Sequence, residues 1–121
     1  MTKTSLRPPN SILYLFDPDT TGDDAPAYDG SLSRAGETCA YIGTRSSDDG
    51  PVTVWIEEGP PLYDAKYDVS HVLSSKGGSL LIETVDGEVI GELREQVGTR
   101  TVRICANDER EPTRINVWST D

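Results

Sequence analysis

The densest run of potential ligands is Asp17-Pro-Asp19-Thr-Thr21-Gly22-Asp23-Asp24, with side-chain oxygens at relative positions 1, 3 and 5 and glycine at 6. That is the first half of a calcium loop. Calcium takes about six to eight oxygens, and a loop of this kind closes its shell with a bidentate acid at position 12. Here position 12 is Tyr28, Asp29 falls one place late, and no helical pattern flanks the segment. The preferred reading is a solvated acidic loop whose aspartates turn the backbone through their own N–H groups; weak calcium-dependent binding is an alternative. The other acid pairs, Asp48-Asp49 and Glu57-Glu58, are sequence neighbours. Adjacent side chains on a strand point to opposite faces, so these are poor general acid/base dyads. His71 is the sole histidine, and no Gly-x-Ser-x-Gly elbow accompanies it. Gly77-Gly78 lacks the lysine and helix of a phosphate loop. Cys39 and Cys105 form no Cys-x-x-Cys pair, so with one histidine the usual zinc sets cannot be assembled. Catalysis is therefore not expected, and no cofactor is implied.

Charge points instead to binding. The 121 residues hold 21 acids against 11 bases, a formal net charge of -10. Such a surface repels nucleic acid and anionic membranes and attracts basic proteins. Residues 94 to 121 balance five arginines (94, 100, 103, 110, 114) against five acids (95, 108, 109, 111, 121), which leaves the whole excess on residues 1 to 93. With only three lysines among the bases, a halophilic or high-GC background is a competing source of the bias. No apolar run approaches the roughly 20 residues of a spanning helix. The proline-containing N-terminus lacks the apolar region of a secretory signal, so the cytoplasm is the expected compartment and the cysteines are expected to be free thiols.

The elements that must position these groups read as strands. Residues 1 to 10 are polar and aperiodic and are expected to be a flexible arm, followed by one β-domain over 11–121. Ile12-Leu13-Tyr14-Leu15-Phe16 is apolar on both faces, as in a central strand. Residues 17 to 36, with Pro18, Gly22, Pro26 and Gly30, form a long acidic loop. Further strands are expected over residues 37–44, 52–57, 67–73, 79–85, 88–93, 100–105 and 113–118. Val52, Val54 and Ile56 alternate with Thr53, Trp55 and Glu57, and Val102, Ile104, Ile115 and Val117 alternate likewise. Asp86-Gly87 predicts a two-residue type I′ hairpin. With no helical period and a Pro or Gly every eight to twelve residues, the class is all-β: a two-layer antiparallel sandwich of about seven to eight strands.

Trp55 and Trp118 lie opposite their strands' aliphatic faces, where tryptophan serves either as an interface anchor or as packing against a loop or an arginine stem. The order of features is Leu15-Phe16-Asp17-Pro18, then Asp49-Gly50 before Val52-Thr-Val-Trp55, then Gly78-Ser-Leu-Leu-Ile-Glu83, then Val97-Gly-Thr-Arg-Thr-Val-Arg-Ile104. Over about residues 11 to 106 it resembles the small β-sandwich family of competence protein J. That resemblance implies a nuclease inhibitor or an immunity partner of a toxin. The charge argument reaches a similar place, because carboxylates on loops can stand where phosphates would lie in a basic groove. The expected partner-binding set is Asp17, Asp19, Asp23, Asp24, Asp48, Asp49, Glu57 and Glu58, with Trp55 as an anchor. The alternative is a structural or assembly subunit that associates with copies of itself.

Overall fold

A computed structural model describes residues 2–20 and 24–120. Asp23 lies outside the described residues, as do Thr21 and Gly22 of the calcium-like motif. The strands are β1 (Thr2–Leu6), β2 (Ile12–Phe16), β3 (Ser33–Ala35), β4 (Cys39–Gly43), β5 (Val52–Ile56), β6 (Tyr67–Ser75), β7 (Leu81–Thr84), β8 (Val89–Glu92), β9 (Gly98–Ala106) and β10 (Arg114–Ser119). They form two five-stranded sheets, ordered β1-β5-β10-β9-β6 and β3-β4-β2-β7-β8. The architecture is the expected β-sandwich.

Alternation explains the core. Val52, Val54 and Ile56 of β5, Val102 and Ile104 of β9, and Ile115 and Val117 of β10 face inward against Leu13 and Leu15 of β2, Ala40 and Ile42 of β4 and Ile82 of β7. All are essentially sealed from solvent. Truncating any of the leucines or isoleucines would cost about 2–5 kcal/mol. β2 is central in its sheet, as its two-faced apolarity requires.

Four details differ from expectation. Residues 2 to 6 are a strand rather than a flexible arm: β1 pairs antiparallel with β5, and Leu6 packs on the core. β1 lacks a clear apolar period because it is an edge strand, with Thr2, Thr4 and Leu6 aligned with inward residues Ile56, Val54 and Val52. The long acidic loop is interrupted by the three-residue β3, which continues the sheet beyond β4. β10 runs antiparallel to β9 but parallel to β5, a mixed pairing that strand periodicity does not encode. The Asp86-Gly87 hairpin is not type I′, which needs positive φ at both residues. Gly87 has φ 90° whereas Asp86 is not among the left-handed residues, and the Gly87 N–H donates to the Thr84 carbonyl at 3.0 Å. Four residues, Val85 to Glu88, therefore join β7 to β8, with the Thr84 N–H donating to the Glu88 carbonyl at 2.9 Å.

Each sheet has a loop laid over its outer face. Residues 57–66 cross the first sheet, where the Tyr63 hydroxyl donates to the Cys105 carbonyl (3.2 Å), the Lys66 N–H donates to the Ala106 carbonyl (3.0 Å) and the Asn116 amide donates to the Glu58 carbonyl (2.8 Å). Over the second sheet, the Tyr28 ring lies 6.0 Å from that of Tyr41, whose hydroxyl donates to the Ser31 carbonyl at 3.1 Å. Cys105 and Cys39, both free thiols, are buried, although each follows or precedes an inward-facing residue and so points out of its sheet. The two cysteines thus lie on opposite outer faces. Stacked sheets stand about 10 Å apart, beyond the roughly 7 Å limit for bridged Cα atoms.

Candidate functional site

The acids expected to act together are distributed by the sandwich to separate places. β2 runs from Ile12, paired with Gly43, to Phe16, paired with Cys39 and Leu81. Residues following Phe16 and preceding Cys39 therefore share one end, and the turn after Gly43 is at the other.

At the first end, Asp17 is fully buried. Its Oδ1 accepts the Asp19 N–H and its Oδ2 accepts the Lys76 N–H, each at 3.0 Å. Asp17 is thus a tie between the β2 end and the β6–β7 turn, not a docking group. Asp19 and Asp24 are exposed. The Asp24 carboxylate accepts from the Thr38 N–H (2.6 Å) and the Thr38 hydroxyl (2.7 Å). Burial is the largest single influence and pushes its pKa up, but the bonds from Thr38 together with the backbone N–H groups of Glu37 and Asp24 outweigh it and hold the carboxyl below its ordinary range. Three further exposed carboxylates gather at this end. Glu37 precedes β4, its carbonyl accepting the Ser74 N–H at 2.8 Å. Glu92 ends β8 opposite Leu81, and Glu95 follows it beside Gly78. Lys76 and Arg94 are the exposed bases here.

Beneath this rim lies Arg100, 1% exposed, donating to the Arg94 carbonyl (2.5 Å), the Gly78 carbonyl (2.9 Å) and the Ser119 hydroxyl (3.3 Å). It holds the β8–β9 connection against the β6–β7 turn. Glu57 does comparable work. Its Oε1 accepts the Ser119 N–H (2.8 Å), its Oε2 accepts the Arg94 N–H (3.2 Å), and the Arg94 guanidinium lies 3.9 Å away. Its φ of 59° is a left-handed conformation that a non-glycine residue holds only when its surroundings enforce it. Glu57, like Asp17, is therefore structural.

Asp48 and Asp49 are exposed on a 3₁₀ turn, Ser47–Asp49, at the opposite end. They sit among arginines. Arg7 donates to the Ser47 carbonyl (3.3 Å), Arg45 lies over Gly50, and the Arg45 N–H meets the Pro112 carbonyl of the loop carrying Arg110. The expected acids thus lie at two ends of the sandwich, and the second end also carries the exposed Asp108, Glu109 and Glu111 beside Arg110.

Trp55 and Glu58 come together elsewhere, on the outer face of the first sheet. With Pro60, Pro61, Tyr63 and Asn116 they line a groove of about 380 Å³. The Trp55 and Tyr63 rings are 6.1 Å apart, and the Lys3 ammonium lies 5.6 Å from the Trp55 ring centre. Trp118 instead packs flat on the backbone at Gly59 with Arg103 at 5.5 Å. It is a structural residue in the manner of an aromatic clamped by an arginine stem. A broader groove of about 980 Å³ lies at the second end, between Tyr28, Tyr41 and the 108–111 loop.

His71 joins the two sheets at their β6 and β3 edges: its Nε2 is 2.8 Å from the Ser33 hydroxyl, which itself donates to the Tyr41 carbonyl at 2.7 Å. The hydroxyl proton is thereby committed, so His71 donates to Ser33 and does not activate it. Among the described residues, no group of three or more His, Cys, Asp or Glu is placed to hold a metal.

The two-sheet fold matches solved structures. The chain superposes on ComJ, inhibitor of the DNA degrading activity of NucA, from Bacillus subtilis, with a TM-score of 0.65 over 99% of this chain and 96% of that one. The fold is that of ComJ. Sequence identity is 11%, so the likeness lies in the fold. A second structure, that of the crocagin biosynthetic gene J protein, shares it at a TM-score of 0.58 and 14% identity, covering 98% of this chain and 96% of the other. No protein-family model matches the sequence, and no curated protein matches it. The ComJ fold accords with the family resemblance in strand and turn spacing.

The sequence reading missed Glu37, Glu92 and Glu95. Their signal was available only through pairing: each lies at or near a strand end that the register brings beside Phe16 or Gly78.

Proposed function

We propose that this chain is an acidic protein-binding module, an inhibitor or immunity protein that masks a basic partner such as a nuclease or toxin. The observation that carries the reading is the gathering of exposed carboxylates, Asp19, Asp24, Glu37, Glu92 and Glu95, at one end of a rigid sandwich. Asp23 adjoins Asp24 in the same acidic stretch and is included in the set. Asp17, Glu57 and Arg100 fix the loops that carry these groups, so the partner meets a preorganised surface. The fold likeness to ComJ, an inhibitor of a nuclease's DNA degrading activity, supports the same reading.

Immobilised chain and a native extract test this. Capture of a basic protein that elutes with salt is expected, and reversal of Asp19, Glu37 and Glu95 to lysine should abolish it. Reversal of Asp48 and Asp49 at the other end should leave it nearly unchanged. Equal capture by both variants would overturn the assignment of the docking end.

A further inference from the structure

Asn116 is the most informative polar residue outside the acidic end. It is 3% exposed, lies on the outer face of β10 and lines the Trp55 groove. Its Nδ2 donates to the Glu58 carbonyl at 2.8 Å, which fixes the orientation of the amide. The Oδ1 that remains is buried and has no hydrogen-bond partner among the described residues. A buried acceptor without a donor is costly and is retained where something else supplies the donor.

The other groups of the groove narrow what that donor is. Trp55 and Tyr63 present apolar ring faces, and Leu62 at the rim is wholly exposed. The Tyr63 hydroxyl is spent on the Cys105 carbonyl, so it offers no proton to the groove, and burial pushes its pKa up. Glu58, an acidic residue, also lines the groove. The Trp55 ring already attracts a cation from its own chain, since Lys3 stands over it. An unpaired acceptor and an acidic residue beside an aromatic face call for an occupant that is cationic, rich in N–H donors and flat enough to lie on a ring. Arginine combines those properties, whereas a lysine ammonium cannot stack. Opposing them is Arg114, at the rim, which repels a second guanidinium.

We propose that this groove is a receptor for an arginine side chain of a protein partner, with a guanidinium N–H donating to Asn116 Oδ1, Glu58 balancing the charge and the stem lying along Trp55. The inference rests on the docking reading only for the source of the arginine, since a basic protein supplies one. It places a second contact away from the acidic end.

The test is a ¹⁵N NMR titration of the intact chain with acetyl-Gly-Arg-Gly-amide, and with its lysine and citrulline counterparts. Citrulline keeps the shape and loses the charge. The Trp55 indole and Asn116 side-chain amide signals should move with the arginine peptide, saturating on the order of millimolar. Citrulline and lysine should bind at least about threefold more weakly. Arg114→Gln should tighten the arginine peptide, and Trp55→Ala should remove the response. Should Trp55→Ala lose its amide dispersion, Arg114→Gln alone decides, because that rim residue is exposed. Equal binding of citrulline, unmoved Asn116 and Trp55 signals, or no change in Arg114→Gln overturns the proposal. Because no partner protein is used, failure here with salt-sensitive capture retained rejects the groove and leaves the docking end standing. The opposite pattern rejects the docking end alone.

Discussion

Replacing Asp17 by asparagine exchanges one oxygen for an NH₂ in a side chain of unchanged shape, and the structure fixes what that should cost. Both carboxylate oxygens accept backbone N–H groups, from Asp19 and from Lys76, and the side chain is fully buried. Asparagine retains one acceptor, so one N–H then faces an amide donor with no water to replace the lost oxygen. Hydrogen bonds to a charged acceptor contribute about 1.5–3 kcal/mol each, which sets the cost of Asp17→Asn. Asp17→Ala removes both acceptors and should cost about 3–5 kcal/mol. For a chain of this length, roughly 3–5 °C of melting temperature follows each kcal/mol. Asp17→Asn should therefore melt about 5–15 °C below the parent by circular dichroism at neutral pH. Asp19→Asn, with its carboxylate exposed, should stay within about 2 °C. Equal melting temperatures for the two variants would refute the assignment of Asp17 as the tie between β2 and the β6–β7 turn.

Further expectations follow from other residues. Burial holds the His71 pKa below its ordinary 6.5, so the fold favours the neutral imidazole. Its contribution to stability should be complete above about pH 6.5 and fall as the pH drops through the folded pKa; His71→Gln should flatten that limb in urea titrations taken downward from about pH 6.5. The lower limb should survive, since it belongs to carboxyls held below their usual range, such as Asp24 with Thr38 and Asp68 with Arg103. Burial pushes both thiols up to about 11, so Cys39 and Cys105 should ignore a thiol reagent at mildly alkaline pH until denaturant is added; rapid native labelling of either would contradict their burial. A Cβ at Gly59 would stand 2.3 Å from the Trp118 ring, so Gly59→Ala should cost about 1–3 kcal/mol and alter the near-ultraviolet circular dichroism of the tryptophans.

What was legible in the sequence was what alternation encodes. Val52, Val54 and Ile56, and the matching pairs on β9 and β10, lie in the core because each strand buries one face. β1 was illegible for the same reason: only Leu6 is apolar among its positions in register with Val52, Val54 and Ile56, and its Thr, Lys and Ser residues resemble an unstructured arm. The parallel β5–β10 pair was hidden because side-chain period is the same for either direction. Of the docking set, Asp19 and Asp24 were read as exposed loop acids and are exposed. Asp17 and Glu57 were not distinguishable from them, because composition cannot tell a carboxylate facing water from one that accepts two backbone N–H groups. Asp48 and Asp49 illustrate a related limit, since adjacency in a list of acids says nothing about which end of β2 a turn occupies. Trp55 was placed on the outer face correctly, while the loop that makes a groove with it depends on Tyr63 and Asn116, residues with no local motif.

The most direct measurement is the association rate of the chain with its captured basic partner as a function of ionic strength. Screening lengths shrink from about 30 Å at 0.01 M salt to about 8 Å at 0.15 M, so attraction by clustered carboxylates should lose tenfold or more in rate across that range. The salt dependence should largely disappear when Asp19, Glu37 and Glu95 are reversed to lysine. A parent rate that is the same at low and high salt would contradict the acidic end as the docking surface.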